Sequence, residues 1–138
     1  VYQYWIENSQ TRPALDRHRV WWVSWKLDVE RMRQASEVFL GRHDFTSFAA
    51  VGEEADARDP VKEMRRLEWR QDGGRLVFEI EGSGFLHKMV RCLVGNLVEA
   101  GRGRFSAGDL QSILEKRNRA AAGPTAPPQG LCLCQVLF

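Results

Sequence analysis

Asp72-Gly73-Gly74-Arg75-Leu76-Val77-Phe78-Glu79-Ile80-Glu81-Gly82-Ser83-Gly84 is the stretch on which the fold turns. Asp-Gly-Gly between apolar runs is a strong hairpin signal, because glycine supplies the positive φ angles that a tight turn needs. Leu76, Phe78 and Ile80 then alternate with Val77, Glu79 and Glu81, the period of a half-buried strand. Upstream of the turn, Val61 to Arg70 reads as the partner strand, with imperfect alternation. Downstream, Gly82-Ser83-Gly84 ends the strand and launches an apolar helix predicted from Phe85 to Ala100 and stopped at Gly101.

The rest is built outward from this hairpin. Val1-Tyr2-Gln3-Tyr4-Trp5-Ile6 is β-branched and aromatic and reads as a strand at an edge or junction, broken by Arg12-Pro13. Val20 to Trp25 reads as a second strand. Asp28 is placed to cap a helix whose Val29, Met32, Ala35 and Phe39 share one face, with Gly41 as its C-cap. Asp44 to Phe48 is a short aromatic segment, and Ala49 to Asp59 a loop. Ser106-Ala107-Gly108-Asp109 opens a shorter helix with Leu110, Ile113 and Leu114 inside. Ala120 to Gln129 reads as coil, and Leu131 to Phe138 as a closing strand. From Val20 the order is βαββαβ. This predicts an α+β, ferredoxin-like domain: an antiparallel sheet with helices on one face. That architecture hosts many chemistries, so function must come from particular residues.

Composition narrows the field. The 138 residues suffice for one domain, and 43% hydrophobic with 28% charged is the balance of a globular chain. Lys and Arg number 20 against 18 Asp and Glu, for a net charge of +2. This excludes a histone-like polycation and an acidic tail protein, yet a local basic face can still bind phosphate. No apolar run approaches a membrane span, and Val1 to Asn8 does not resemble a signal peptide. A first residue of Val rather than Met reads as a processed product or a piece of something longer. Cys92, Cys132 and Cys134 make no disulfide framework and no zinc pattern, and read as free thiols in a reducing cytoplasm.

The chemistry-bearing residues are few. On a helix, His87, Lys88 and Arg91 fall on one flank, opposite Leu86, Met89, Val90, Leu93 and Leu97. That flank is either a solvated face or an anion site for phosphate or a carboxylate. His18, His43 and His87 have no metal-binding spacing, and neither a phosphate-binding glycine loop nor a serine or cysteine nucleophile context occurs. Trp5, Trp21, Trp22, Trp25 and Trp69 are dense, which suits packing first and base stacking second. Arg58, Lys62, Arg65, Arg66, Arg70 and Arg75 interleave with acids, as on a solvated strand surface or a phosphate contact.

Four motifs carry a resemblance. Gly41-x-His43-Asp44-Phe45-Thr46-Ser47-Phe48, Gly84-Phe85-Leu86-x-x-Met89-Val90-Arg91-x-x-Val94-Gly95-x-Leu97, and Ala126-Pro127-Pro128-x-Gly130-Leu131-x-Leu133 resemble, in order and spacing, the C-terminal half of the tRNA pseudouridine synthase A family. Tyr2-x-Tyr4-x-Ile6 with Arg12-Pro13 resembles the crossing between that family's halves. The resemblance implies that residues 1–138 are a C-terminal (α–β plait) half, with 1–19 a junction strand and loop to an absent N-terminal half. It implies a cytoplasmic homodimer that isomerises uridine in the tRNA anticodon stem-loop, without cofactor, metal or membrane. The family's nucleophilic aspartate sits in an R-T-D-A-G-V-H string that does not occur here.

The resemblance also assigns roles. Arg91 matches the arginine that pairs with the catalytic aspartate, keeping that carboxylate ionised for attack at C1′ or C6. Tyr2 matches the tyrosine on the flipped uracil, its ring for stacking and its hydroxyl for proton work at C5. Leu131 matches an apolar residue of the base pocket. His43, Arg58 and Lys88 are then candidate RNA-phosphate contacts. Arg58-Asp59-Pro60-Val61-Lys62 departs from the family's basic, threonine-containing turn. A non-catalytic RNA-binding or dimerisation module is the other reading. If an N-terminal half is absent, an apolar patch rimmed by Trp5 or by Trp21 to Trp25 is expected.

Overall fold

Tyr4 and Ile6 are completely buried on strand β1 (Tyr2–Asn8), because β1 lies inside the sheet rather than at its edge. One side of β1 pairs antiparallel with β5 (Arg75–Gly82). The other side is shared. β6 (Leu131–Leu133) runs antiparallel beside Tyr2 to Tyr4, and β2 (Trp21–Val23) runs parallel beside Ile6 to Asn8. Beyond β5 lie β4 (Val61–Asp72) and the outermost β3 (Gly41–Asp44), giving the order β2-β1-β5-β4-β3 with β6 beside β1. The computed structural model describes residues 1–12, 18–50 and 59–133.

Helices α1 (Val29–Ser36) and α2 (Met89–Gly101) cover one face of the sheet, and α3 (Ala107–Lys116) packs beside them. Leu76, Phe78 and Ile80 of β5 face these helices with Tyr4 and Ile6, while Val77 and Glu79 face the open side. The molecule is thus α+β, and β1-α1-β4-β5-α2-β6 forms a βαββαβ frame consistent with a ferredoxin-like fold. The frame's first strand is Tyr2–Asn8, not the Val20–Trp25 segment. The latter shrinks to the short parallel strand β2, and the edge placement expected for Val1 to Ile6 is overturned. The reason is apolar payload. Tyr4 and Ile6 bury their whole side chains under the helices, while Trp22 stays exposed.

Local signals explain the other elements. Asp28 caps α1 by accepting from the Glu30 and Arg31 amides, and Ser106 with Asp109 forms a full capping box on α3. Val29, Met32, Ala35 and Phe39 are buried, as are Leu110, Ile113 and Leu114. Three boundaries differ from expectation. Lys88 has φ 61°, a left-handed conformation that cannot continue a right-handed helix, so α2 starts at Met89 rather than Phe85. Gly41, with φ 91°, opens β3 instead of capping α1, which ends at Ser36 in a 3₁₀ turn over Glu37–Phe39. A register shift between Met64 and Arg66 breaks the alternation of β4, which is why its sequence alternates imperfectly. The expected coil from Ala120 to Gln129 includes parts of two 3₁₀ turns, and Pro13, Arg58 and Cys134 to Phe138 lie outside the described residues.

Candidate active site

Arg91 is the one residue of α2 that is not buried. Every other side chain of the helix packs into the protein, so its guanidinium reaches the surface from a rigid base. The surface it reaches is an open hollow of about 540 Å3. Tyr2 from β1, Leu131 from β6, and Phe85, Lys88 and Arg91 from the α2 approach line it. Three segments far apart in sequence therefore converge. The pairing of β1 with β6, Tyr4 opposite Leu131, is what brings the first and last of them together.

The walls are aromatic and cationic. The Tyr2 ring meets Phe85 edge-on at 5.0 Å, which fixes the tyrosine's plane. His87 and Lys88 stand at the rim, ahead of the helix rather than on its flank, because Lys88 takes the left-handed turn. Among the described residues no carboxylate lines the hollow, and none forms an ion pair with Arg91. The Arg91 Nε donates to the Ala126 carbonyl at 2.9 Å. This leaves the two terminal nitrogens of the guanidinium for a ligand, the geometry that suits a carboxylate or phosphate. Beneath the hollow, burial raises the pKa of the Tyr4 hydroxyl above its ordinary value, and Arg91 opposes the shift. The Tyr4 hydroxyl therefore stays protonated and donates to the Pro127 carbonyl at 2.5 Å.

The structure joins Arg91, Tyr2, Leu131 and Lys88 at one place but not His43. That histidine lies on the outermost strand, opposite Lys62, with its Nε2 2.7 Å from the Leu40 carbonyl. Arg58 lies outside the described residues. Phe85 lines the hollow although it was not a predicted site residue, and His87, one of the three residues of the candidate anion flank, lines it too. Phe85 sat in a quoted motif, and its position two residues before His87 was the available signal.

The remaining features are accounted for locally. Arg65, Arg66, Arg70 and Arg75 pair with Glu63, Glu68, Glu79 and Glu7 on the sheet's open side. Trp69 is buried against Phe78, and Trp5 lies half-buried beneath Arg75. Trp22 and Trp25 are 37% and 45% exposed, and Trp25 carries the Arg102 guanidinium 3.5 Å over its ring. A larger hollow near Lys26, Asp28, Glu30 and Arg31 holds none of the predicted residues, and acids sit among its bases. Among the described residues no group of three or more His, Cys, Asp or Glu side chains could hold a metal ion, and no helix is long and apolar enough to cross a membrane.

Residues 35–138 match the family model described as tRNA pseudouridine synthase. The chain is 45% identical over 138 residues to a tRNA pseudouridine synthase A of Acidiphilium cryptum, covering all of this chain and 53% of that protein. It is 42% identical over 135 residues to the proteins of the same name from Brucella ovis and Brucella suis, covering 98% of this chain and 53% of each relative. The chain spans about half the length of the curated relatives it matches.

Proposed function

The chain belongs to the tRNA pseudouridine synthase family, and from that premise we propose that it is the C-terminal half of an enzyme isomerising uridine to pseudouridine in the anticodon stem-loop of tRNA. The observation that carries this reading is the convergence of Arg91, Tyr2 and Leu131 on one hollow whose described walls hold cations and no carboxylate.

The reaction breaks the N1–C1′ glycosidic bond of uridine, forms a C5–C1′ bond, releases the C5 proton and leaves a proton taken up from solvent on N1. An aspartate of an N-terminal half supplies the nucleophilic carboxylate. The terminal nitrogens of Arg91 hold that carboxylate ionised, because an adjacent cation favours the charged form. Tyr2, its plane set by Phe85, stacks on the extruded uracil, and its hydroxyl stands ready for the proton at C5. Leu131 supplies apolar contact to the base. Lys88 at the rim takes RNA phosphate, His43 on the outermost strand is a second phosphate contact, and Arg58 is a third. The working protein is a cytoplasmic homodimer that needs no cofactor or metal.

The test is release of tritium from tRNA labelled at uridine C5. The 138-residue chain alone is expected to release none, and to release it once combined with a family N-terminal half carrying the aspartate. Release by the chain alone overturns the division of labour. No release from the combination, with tRNA still bound, favours the non-catalytic RNA-binding module.

A further inference from the structure

The segment from Gly123 to Pro127 lies across the outer side of α2 and is held at several points. Arg91 and Ala126 clasp each other in both directions: the Arg91 Nε donates to the Ala126 carbonyl at 2.9 Å, and the Ala126 amide donates to the Arg91 carbonyl at 3.0 Å. One turn along the helix, the completely buried Asn96 accepts from the Gly123 amide at 2.7 Å and donates to the Cys92 carbonyl at 2.7 Å. Arg119 donates to the Gly123 carbonyl at 3.0 Å and to the Thr125 hydroxyl at 2.8 Å. At the far end the buried Tyr4 hydroxyl donates to the Pro127 carbonyl at 2.5 Å.

We propose that this strap is the positioning device for the Arg91 guanidinium, and that Tyr4 is the positioning residue that sets it. The proposal deepens the reading above and rests on Arg91 being the cation of the site.

A guanidinium is planar, so fixing Nε against one carbonyl fixes the plane in which both terminal nitrogens point. That carbonyl is only as well placed as the strap that bears it. Pro124 and Pro127 lock two of its φ angles, and the bonds from Asn96, Arg119 and Tyr4 fix its height over the helix. Tyr4 is the most informative of the three. It sits on the central strand two residues from Tyr2 and directly opposite Leu131. One side chain thus relates the base-facing residues to the arginine. Because burial keeps its hydroxyl protonated, the bond to Pro127 persists across working pH. A strap that orders the fork in advance removes the ordering cost from ligand binding, the general advantage of preorganisation.

Exchange of arginine Nε protons with water, measured by NMR on the 15N-labelled 138-residue chain, tests the strap without any turnover. The Arg91 Nε proton is expected to exchange slowly in the parent. Tyr4→Phe and Arg119→Met are each expected to speed it about fivefold, the scale of one weakened hydrogen bond. Arg31, whose Nε donates to the Ala100 carbonyl at 3.1 Å away from the strap, is the internal control and keeps its rate. Unchanged Arg91 exchange in the variants overturns the proposal. If Tyr4→Phe does not fold, Arg119→Met decides alone, since Arg119 is partly exposed. In the synthase that contains this half, Tyr4→Phe is expected to lower kcat about tenfold with KM nearly unchanged. Faster exchange with unchanged kcat overturns the positioning role. A parent synthase that makes no pseudouridine is instead a failure of the functional reading.

Discussion

Gly95 of α2 faces the carbonyl oxygen of Pro124 so closely that a Cβ at position 95 would overlap it, and would stand 3.0 Å from the Ala126 nitrogen. Both neighbours are backbone, so neither can swing aside. Gly95→Ala is therefore expected to destabilise the protein by about 2 kcal/mol or more, despite the roughly 1 kcal/mol that alanine gains over glycine within a helix. Urea denaturation reads the outcome, and an alanine variant as stable as the parent would show that the strap does not press on the helix.

Ser36 mediates a buried junction. Its hydroxyl donates to the Met32 carbonyl at 2.7 Å and accepts from the Trp69 indole at 2.9 Å. Ser36→Ala leaves that indole N–H buried and unsatisfied, at a cost of about 2 kcal/mol. In the Ser36→Ala background, Trp69→Phe is expected to cost less than it does in the parent. Equal costs in the two backgrounds, by thermal or chemical denaturation, would remove the coupling.

Glu79 makes stability depend on acid. Its hydrogen bond with Arg66, followed by one from Gln3, holds its carboxyl below the ordinary 4.5. The folded state thus binds fewer protons than the unfolded chain in that range. The contribution is complete above the ordinary value and is lost as pH falls through the lower, folded-state value. Glu79→Gln is expected to be less stable than the parent at neutral pH by about 1 kcal/mol, the scale of a partly exposed ion pair. The gap should narrow towards pH 3. A constant gap across that range, in denaturation curves at stepped pH, would contradict this origin.

The two reading residues separate cleanly in kinetics. In the synthase, Arg91→Ala should lower turnover by at least about 100-fold, on the order of 3 kcal/mol, by removing the proposed charge-assisted pair with the nucleophilic carboxylate. Arg91→Lys should rescue little of it, since an ammonium cannot both clasp Ala126 and present a fork. Tyr2→Phe keeps the ring and removes the hydroxyl, so most tRNA binding should remain. If Tyr2→Phe weakens tRNA binding while turnover at saturating tRNA persists, the hydroxyl serves binding rather than proton transfer.

The hairpin around Gly73, the caps at Asp28 and Ser106 and the inward faces of the helices were legible because each depends on residues near in sequence. The identity of the central strand was not. Val20 to Trp25 is as apolar and aromatic as Val1 to Ile6, and only the helices overhead select Tyr4 and Ile6 for burial. Strand β3 was hidden for a related reason: Gly41-Arg42-His43-Asp44 has no alternation, and its pairing with Val61 to Met64 makes it a strand. Within the site, Arg91 stood out with His87 and Lys88 as a basic flank on an otherwise apolar helix. Tyr4 did not, because a tyrosine in a strand reads as core until its hydroxyl is seen to reach Pro127. Asp44-Phe45-Thr46-Ser47-Phe48 carries much of the resemblance, yet its role here is support. Asp44 caps Thr46, and the buried Ser47 donates to the Ile113 carbonyl.

One side of β1 is completed by β6, a strand far from it in sequence, with Leu131 set opposite Tyr4. Contacts between such distant segments form slowly, since a long loop must close before they yield anything. The α1–α2 layer and the β4–β5 hairpin can form while that position is still vacant. Tyr2 and Leu131 become neighbours only after residue 131 has emerged from the ribosome and threaded in beside β1. The hollow is therefore expected to close after the helix layer and the hairpin, and a chain stalled before residue 131 would hold much of the core while lacking the Leu131 wall.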